Sequence, residues 1–410
     1  MQHFKAISQT ERDRLFLVPP EKLGVRTDSS LLAVALGATL YSPASRSDLA
    51  KSVLKQTERG CVSIVLCLED SIPDDDVRSA ECNLLAALAE LHSLPDPEGS
   101  LPFLFVRCRT PEQLLDIGRR AGSGLDVVTG FVLPKFENET GRGRAFLEAL
   151  QRLNQETGRT VTRAAVKAAT KTDEQIRCGA PPLLAMPIIE DKLMMHVETR
   201  QRALANAFFL MTSFRDTVLC VRIGATDMSS TFGIRRSRDL TIYDVNVVAN
   251  AIGDVVNIFG RTDEGWVITG PVWEHFSNSE RVLRPLLRAT PFSTVNEAEL
   301  RQRLLMDNLD GLIREIELDQ ANGLVGKTVI HPSHVPIVHS MSVVSHEEYL
   351  DALDIMAGLS GGVKASSYGN KMNELKPHRS WAERTLLRAR AFGVANAGIS
   401  FAELLEASMR

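Results

Sequence analysis

The 410-residue chain is predicted to be an α/β protein, a (β/α)8 barrel with an N-terminal arm and a C-terminal helical extension. Eight short apolar runs alternate with amphipathic patterns, which is typical of right-handed βαβ units and a parallel sheet. Most of the runs end in charged residues, and barrel folds keep their functional groups at the carboxyl ends of the strands. An open doubly wound sheet is the alternative, but no glycine-rich phosphate loop follows the first strand.

The alternation of strands and helices extends through most of the chain. The candidate strands are 38–43, 61–68, 102–108, 130–135, 182–189, 217–224, 265–270 and 324–330. The main helical patterns are Ser47–Glu58, Asp74–Leu94, Pro111–Arg120, Gly143–Gln155, Lys192–Thr212, Leu240–Phe259 and Glu297–Ala321. Eight such units in roughly 300 residues fit a (β/α)8 barrel.

The barrel domain is expected to span residues 38–340, with an arm before it and an extension after it. Residues 1–37 mix polar and apolar side chains and are expected to pack on the barrel. Residues 341–410 contain a flexible, polar run and two helical patterns, at Gly361–Lys376, Ser380–Phe392 and Ser400–Met409. Such an extension is expected to form a lid on the barrel mouth or to reach a neighbouring subunit.

Composition excludes several classes of partner. Hydrophobic residues make up 44% of the chain and charged residues 24%, which suits a globular protein with a large core. The net charge of -4 and the pI of about 6.2 indicate neither nucleic acid nor an anionic membrane as a partner. No stretch contains about eighteen consecutive uncharged apolar residues, so no membrane span is expected. The N-terminus lacks a basic-then-apolar pattern, so no export signal is expected. The six cysteines form no C-x-x-C pair and are expected to be buried, reduced thiols in a cytoplasmic protein.

Charged residues follow most of the predicted strands. Because the carboxyl ends of all barrel strands meet at one mouth, these side chains are expected to form one site. The set combines carboxylates for a metal ion, cationic groups for anions and a histidine. Its members in chain order are Glu69, Asp70, Arg107, Arg109, Lys135, Glu190, Asp227 and His331.

Glu190 and Asp227 are the candidate metal ligands. Glu190 ends the apolar run that starts at Pro181, and Asp227 ends the next run, which starts at Val218. If the two strands are neighbours, their axes lie about 4.8 Å apart, so both carboxylates can reach one ion. Mg²⁺ takes oxygen ligands at roughly 2.0–2.1 Å and keeps several waters. The sequence therefore predicts a Mg²⁺ site, with Mn²⁺ as a substitute.

A series of motifs occurs in order along the chain: LYSPASRSDLAKSVL, LCLEDSIP, FVRCR, VLPKFEN, MPIIED, RIGATDMS and GKTVIHPSHV. Together they resemble the citrate lyase β-subunit and malyl-CoA lyase group of the HpcH/HpaI aldolase superfamily, over residues 38–340. The long arm, GPVWEHF and KMNELKPHRSWAERTLLRA are similar to a divergent branch associated with tellurium-resistance and stress gene clusters. The resemblance implies a TIM barrel, C–C lyase or aldolase activity, and a homo-oligomer, either a trimer or a hexamer.

The resemblance also implies catalytic and metal-binding roles. Glu190 and Asp227 match the two Mg²⁺ ligands of the family. Arg107 matches the arginine that binds a substrate oxygen and steadies enolate charge. Glu69 and Asp70 match the L-E-D pair, which orders water on the metal or a nearby arginine.

The remaining mouth residues are assigned in the same way. Lys135 matches a supporting residue and is included in the catalytic set, and His331 matches a second supporting residue. Arg46 matches an arginine close to the substrate carboxylate or an acyl-carrier group. Arg109 stands where ordinary members often have a small polar residue. Arg46, Arg109 and His331 are predicted to contact the substrate.

Cleaving a C–C bond next to a carbonyl leaves an enolate, whose charge a divalent ion and a guanidinium can take up. We therefore expect a Mg²⁺-dependent C–C lyase or aldolase. Its partner is expected to be a small-molecule carboxylate, an α-keto acid or β-hydroxy acid, or an acyl thioester. The alternatives are a phosphoryl-transfer enzyme of the phosphoenolpyruvate/pyruvate barrel type and a non-catalytic binding protein that kept the fold.

Several of these residues also have a structural interpretation. Lys135 can pair with a nearby glutamate, and His331 can bond to the backbone at its strand end. Asp191 suits the start of a helix, where a carboxylate interacts favourably with the macrodipole. The cluster Arg235–Asp239 is typical of a solvated turn, and on the catalytic face it can also meet an anionic substrate group.

Overall fold

The fold is given by a computed structural model, which describes residues 1–24, 26–159, 180–276, 309–358 and 362–409. Cys178, Gly361 and the first part of the predicted helix Glu297–Ala321, up to residue 308, lie outside the described residues. Among the helices that are described, none is long and apolar enough to cross a lipid bilayer.

The central sheet has eight parallel strands. The strands of the described residues in chain order are β1 Phe16–Val18, β2 Ala38–Pro43, β3 Ser63–Cys67, β4 Phe103–Arg107, β5 Val128–Leu133, β6 Leu184–Ile189, β7 Val221–Ile223, β8 Ile268–Thr269, β9 Lys327–Val329, β10 Val363–Ala365, β11 Met372–Glu374 and β12 Val394–Ala395. The order in the central sheet is β8-β7-β6-β5-β4-β3-β2-β9. Each of the eight predicted strands overlaps one of these eight, and β2 has the predicted bounds.

The sheet closes into a barrel between β8 and β9. Gly270 donates its N–H to the carbonyl of Gly326 at 3.1 Å and accepts the N–H of Thr328 at 3.1 Å. Gly326 has φ +70°, and a Cβ there would lie 2.4 Å from the carbonyl oxygen of Gly37. Glycine is required at this position because a side chain would push β9 away from β2. The predicted (β/α)8 barrel is therefore confirmed.

The helices lie between the strands as the alternation predicted. Helix Pro111–Arg120 has the predicted bounds, because Thr110 accepts the N–H of Gln113 at 3.2 Å and Pro111 occupies the first turn. The α-helices are Gln9–Leu15, Ser29–Ala35, Leu49–Glu58, Val77–His92, Pro97–Ser100, Pro111–Arg120, Arg142–Glu156, Val197–Thr212, Ala225–Ser230, Asn246–Phe259, Asp310–Ala321, His334–Ser342, His346–Ala357, Arg379–Phe392 and Phe401–Met409. Short 3-10 helices precede three of them, at Asp74–Asp76, Lys192–Met194 and Ile242–Asp244.

Apolar side chains fill the interior of the barrel. Phe105, Val132 and Met186 are fully buried there, in one cluster with Leu32 of helix Ser29–Ala35. Since this helix leads directly into β2, it closes the amino-terminal end of the barrel. The open end is the carboxyl-terminal mouth, where the predicted site residues follow their strands.

The arm and the extension pack together at the amino-terminal end of the barrel. β1 pairs antiparallel with β12, and Arg390 forms an ion pair with Glu21 at 2.7 Å. Phe392 lies against Gly37, immediately before β2. Phe392 is also buried beside helix Ser29–Ala35, so this part of the extension packs at the amino-terminal end of the barrel. The lid stays a prediction for the rest of the extension.

The extension has more regular structure than the sequence indicated. Within the run Gly361–Lys376, which was expected to be flexible, β10 pairs antiparallel with β11. The buried side chain of Asn373 donates to Asp351 at 2.9 Å and ties this hairpin to helix His346–Ala357. Such a contact joins residues far apart in the chain, so local composition does not reveal it.

The cysteines in the described residues are free thiols. Cys61, Cys67, Cys108 and Cys220 are buried as predicted. Cys82 is exposed because it lies on the solvent face of helix Val77–His92, so the expectation of burial is wrong for this thiol.

Candidate active site

The site is centred on an ion cluster at the carboxyl ends of β3 to β6. Arg107, the last residue of β4, is 8% exposed. Its Nη2 lies 2.7 Å from Glu69 Oε2, 3.3 Å from Asp70 Oδ2 and 3.4 Å from Glu190 Oε1. Because an unpaired buried guanidinium is expensive, these three carboxylates hold Arg107 in place.

Lys135 completes the cluster at the end of β5. Its Nζ lies 2.8 Å from Glu69 Oε1 and 3.4 Å from Asp70 Oδ1, and its backbone N–H donates to Glu190 Oε1 at 2.8 Å. Lys135 has φ +50°, in the left-handed region that residues with a Cβ rarely adopt. Both nitrogen atoms of this residue are therefore directed at carboxylates of the site, at some cost in backbone strain.

Glu190 follows β6 and is 4% exposed. Its Oε2 lies above Gly224, where an added Cβ would be 2.0 Å from this oxygen. Any side chain at position 224 would therefore displace the carboxylate. Gly224 allows Glu190 to approach the segment that carries Asp227, three residues further along the chain.

The pKa values show how charge is distributed. Burial raises the pKa of Glu190 to about 7. The positive charge of Arg107 lowers this pKa and the negative charge of Asp227 raises it, but burial has the largest effect. Burial alone would lower the pKa of Arg107, but Glu190 and Glu69 raise it above its ordinary value. Burial likewise opposes the charge of Lys135, whose pKa is raised by its hydrogen bond to Glu69. Both cations therefore stay charged at neutral pH.

Glu190 and Asp227 are suited to hold a divalent cation. They follow the neighbouring strands β6 and β7, which pair in parallel. Four carboxylates face two cationic side chains here, and a divalent ion would favour the ionised form of Glu190, whose pKa is otherwise raised to about 7. No group of three or more His, Cys, Asp or Glu that could hold a metal occurs in the described ranges. An ion here would have two protein carboxylates, a set that fits Mg²⁺.

A cavity of about 530 Å³ opens beside the ion cluster. This volume falls in the range of roughly 300–1,000 Å³ that is usual for small-molecule sites. The lining residues are Glu69, Asp70, Ile72, Pro73, Asp74, Arg109, Lys135 and Arg142.

Arg109 lies on the wall of this cavity, but protein groups occupy much of its guanidinium. Nε donates to the carbonyl of Leu68 at 2.8 Å, and Nη2 donates to the carbonyl of Ile72 at 2.5 Å. Nη1 pairs with Asp74. Arg109 therefore fixes the loop after β3, and its substrate contact stays a prediction.

Arg46 and His331 lie outside the ion cluster. Arg46 is exposed, and its Nη1 donates to the hydroxyl of Ser52 at 3.0 Å, because the loop after β2 turns back towards helix Leu49–Glu58. The His331 ring stacks on Phe276 with centroids 5.0 Å apart, and its Nδ1 lies 2.7 Å from Ser333 Oγ. The structure does not bring either side chain to the carboxylates of the cluster.

The structure shows the environments of Asp191 and of the cluster Arg235–Asp239, for which the sequence also offered a structural interpretation. Asp191 accepts the N–H of Leu193 at 2.8 Å and caps the helix Lys192–Met194, as its position predicted. In the cluster Arg235–Asp239, Arg236 is buried and pairs with Glu315, so the expectation of a solvated turn is wrong for this residue. Burial is possible because a carboxylate from helix Asp310–Ala321 neutralises the guanidinium.

Three residues near the site were not identified from the sequence: Gly224, Arg142 and Arg222. Arg222 is 1% exposed inside the barrel, and its Nη1 donates to the hydroxyl of Thr39 at 3.3 Å. Alternation along β7 places it inward, which is the signal that could have revealed it. Arg142 begins the helix after β5, a position that faces the mouth in a barrel.

The fold and the site define a (β/α)8 barrel with acidic and cationic side chains gathered at its carboxyl-terminal mouth. The chain belongs to the C–C bond lyase family of the TIM-barrel fold, whose model matches residues 30–394. The membership expected from the seven motifs is thus confirmed. No curated protein sequence matches the chain.

Several solved structures are similar to this chain. CitE from Mycobacterium tuberculosis, in complex with magnesium, acetoacetate and coenzyme A, is 18% identical with a TM-score of 0.49, over 87% of this chain and 99% of that chain. The citrate lyase β subunit from the same organism, with oxaloacetate and magnesium, is 17% identical with a TM-score of 0.41, over 75% and 96%. RipC from Yersinia pestis is 15% identical with a TM-score of 0.40, over 75% and 95%.

Proposed function

We propose that the protein is a Mg²⁺-dependent C–C lyase or aldolase that forms an enolate from a carboxylated substrate. The substrate is an α-keto acid, a β-hydroxy acid or an acyl thioester, and Mn²⁺ can replace Mg²⁺. Family membership supports the lyase class. The observation that carries the rest is the contact of Arg107 with Glu69, Asp70 and Glu190 at the barrel mouth.

The chemistry requires stabilisation of negative charge on a substrate oxygen. A divalent cation held by Glu190 and Asp227 would act as a Lewis acid for that oxygen. Arg107 lies against Glu190, so its guanidinium can donate charge-assisted hydrogen bonds in the same region. Its orientation is set by protein carboxylates before the substrate arrives, which reduces the cost of reorganisation.

Glu69, Asp70 and Lys135 support this arrangement. Glu69 contacts both Arg107 and Lys135, so one carboxylate links the two cations. The Lys135 N–H holds Oε1 of Glu190, while Oε2 of the same carboxylate lies over Gly224. Oε1 thus faces the cationic side of the site and Oε2 faces the Asp227 side.

Magnesium binding tests the metal assignment. By calorimetry, Glu190→Gln and Asp227→Asn should each weaken Mg²⁺ affinity by at least about tenfold, since even outer-shell partners of a metal are typically worth 10–100-fold. Asp191→Asn is the matched control, because Asp191 caps a helix beside Glu190 and should leave the affinity unchanged. Wild-type affinity in both test variants would rule out the site.

Enolisation tests the reaction class. The wild-type protein should exchange the methyl protons of pyruvate for deuterium in a Mg²⁺-dependent manner, an assay that needs no knowledge of the full substrate. Absence of exchange at millimolar pyruvate and saturating Mg²⁺ would contradict the proposed function.

A further inference from the structure

The cavity beside the ion cluster has three cationic side chains on its wall, and two of them are neutralised. Lys135 pairs with carboxylates of the ion cluster, and Arg109 pairs with Asp74. The third is Arg142, the first residue of helix Arg142–Glu156.

Arg142 is held in place by neutral acceptors. Its Nη2 donates to the carbonyl of Arg109 at 2.7 Å, and its Nε donates to the carbonyl of Pro134 at 3.5 Å. In the part of the chain that the structure describes, no carboxylate forms an ion pair with this guanidinium. The two carbonyl oxygens fix its orientation without cancelling its charge, so a positioned positive charge lines the cavity.

The position of Arg142 in its helix does not explain this charge. A cation in the first turn interacts unfavourably with the helix macrodipole. The helix also begins at Gly141, which supplies no side-chain cap. Arg144, two residues further on, is the ordinary case: it is exposed and lies 3.8 Å from Glu148 on the same helix. On its own helix the Arg142 guanidinium lies 5.4 Å from the centroid of the Phe146 ring, a contact that leaves its positive charge in place. An anion in the cavity would offset the unfavourable interaction of that charge with the helix N-terminus.

We propose that Arg142 binds a second anionic group of the substrate, a carboxylate or a phosphate, while the reacting keto acid lies against Arg107. This inference rests on the proposed function, since it takes the reacting end to lie at the ion cluster. Lys135 joins the two regions, because it contacts the ion cluster and also lines the cavity. The cavity of about 530 Å³ is larger than a three-carbon acid requires. The substrate class is therefore a keto acid with a second negative charge at its distal end.

Calorimetry on the Mg²⁺-loaded full-length protein tests the inference directly. Pyruvate, which lacks a second anionic group, is compared with 2-oxoglutarate and 2-oxoadipate, which carry a distal carboxylate, and with 3-phosphonopyruvate, which carries a phosphonate. In wild type at least one dianion should bind more tightly than pyruvate. In Arg142→Gln that preference should fall by about 10–100-fold, the usual value of a hydrogen bond to a charged group. Arg142→Lys keeps the charge without the fork and should restore part of the preference.

Arg144→Gln is the matched control and should keep the wild-type preference, because Arg144 is exposed on the same helix. The dianion whose binding depends most on Arg142 identifies the anionic group and, within the carboxylate series, the chain length. An unchanged preference in Arg142→Gln, with the variant folded by circular dichroism, would overturn the inference. Failure of the proposed function looks different: wild type would then lack pyruvate exchange, while an Arg142-dependent preference would still establish the anion site.

Discussion

At the scale of single residues, the two arginines of the FVRCR segment have different environments. Arg107 is buried among three carboxylates that also face the candidate metal site. Arg109, two residues later, donates hydrogen bonds to backbone carbonyls and pairs with Asp74. The alternation of a strand explains the difference, because residues two apart share a face only while the strand continues, and β4 ends at Arg107. Arg107 is therefore the residue on which the catalytic proposal depends most.

Arg107→Lys separates catalysis from structure. Lysine keeps a positive charge near Glu69 but cannot reproduce the planar fork of a guanidinium. Pyruvate deuterium exchange should fall by about 10²–10³-fold, as expected for loss of an oxyanion donor, with little change in melting temperature. Arg109→Lys is the comparison, and it should mainly lower the melting temperature because it breaks bonds to the loop. Wild-type exchange in a folded Arg107→Lys protein would make Arg107 a structural residue.

The sequence placed Glu69, Arg107 and Glu190 at one site because each ends a buried strand or follows one within two residues. Proximity to a strand was not sufficient, because His331 also follows β9 by two residues but stacks on Phe276. The loop that carries Arg46 turns towards Ser52. Both placements depend on tertiary contacts, which the periodicity of apolar residues does not record.

At the scale of elements, a buried ionic network fixes the segment that follows Asp227. Arg236 pairs with Glu315, and Lys327 Nζ lies 2.9 Å from Glu315 Oε1 and 2.6 Å from Asp319 Oδ2. Glu315 also accepts the backbone N–H of Ile242 at 2.7 Å. One carboxylate of helix Asp310–Ala321 thus links β9 to the segment after the candidate metal ligand. The network therefore fixes the position of this segment relative to β9 and helix Asp310–Ala321.

Glu315→Gln should destabilise the protein strongly. The substitution keeps the shape of the side chain but leaves Arg236 with only the more distant carboxylate of Glu274, 3.9 Å from its Nε. Removing one partner of a buried ion pair typically costs about 3–5 kcal/mol. Urea unfolding is the measurement. Glu317→Gln is the matched control, since Glu317 is exposed on the same helix and should change stability by less than about 0.5 kcal/mol. Equal stabilities of the two variants would mean that the network contributes little.

The elements themselves were more predictable than their connections. All eight barrel strands and the helix Pro111–Arg120 follow from local patterns of apolar residues and from an N-cap with proline behind it. The burial of Arg236 did not follow, because the partner that makes it favourable lies 79 positions away in the chain. Whether a charged side chain is buried depends on partners that the tertiary fold brings to it. Several arginines in a loop therefore predict a solvated segment when only the sequence is known.

At the scale of the whole molecule, the arm, the barrel and the extension meet at two buried histidines. His3 of the arm lies with its ring 4.4 Å from that of His339, on helix His334–Ser342, and 4.4 Å from that of Phe392. Nε2 of His3 donates to the carbonyl of Ala35 at 2.8 Å, and Nε2 of His339 accepts the N–H of Ala38 at 3.2 Å. Protonation of His339 would place an N–H on Nε2 directly opposite the backbone N–H of Ala38. The junction is therefore stable only while the His339 ring is neutral.

Burial lowers the pKa of His3 to about 4, although its bond to Ala35 opposes the shift. Burial also lowers the pKa of His339 well below its ordinary value, and the neighbouring His3 adds to the effect. Unfolded histidine titrates near pH 6.5, so between about pH 6.5 and 4 the unfolded chain binds more protons than the folded one. The stabilising effect of neutral His3 is therefore complete above pH 6.5 and is lost as the pH falls through this window.

The free energy of unfolding should consequently drop between pH 8 and pH 5, with His3 contributing on the order of 2 kcal/mol. His3→Gln tests this contribution by urea unfolding at both pH values, because glutamine can keep the donor to Ala35 but does not titrate. The drop should be smaller in His3→Gln than in wild type by roughly 1–2 kcal/mol. His346→Gln, which alters a ring bonded to Tyr368 at the surface, should show the same drop as wild type. If His3→Gln also shows the full drop, the acid sensitivity comes from other groups, and the junction tolerates a charged ring.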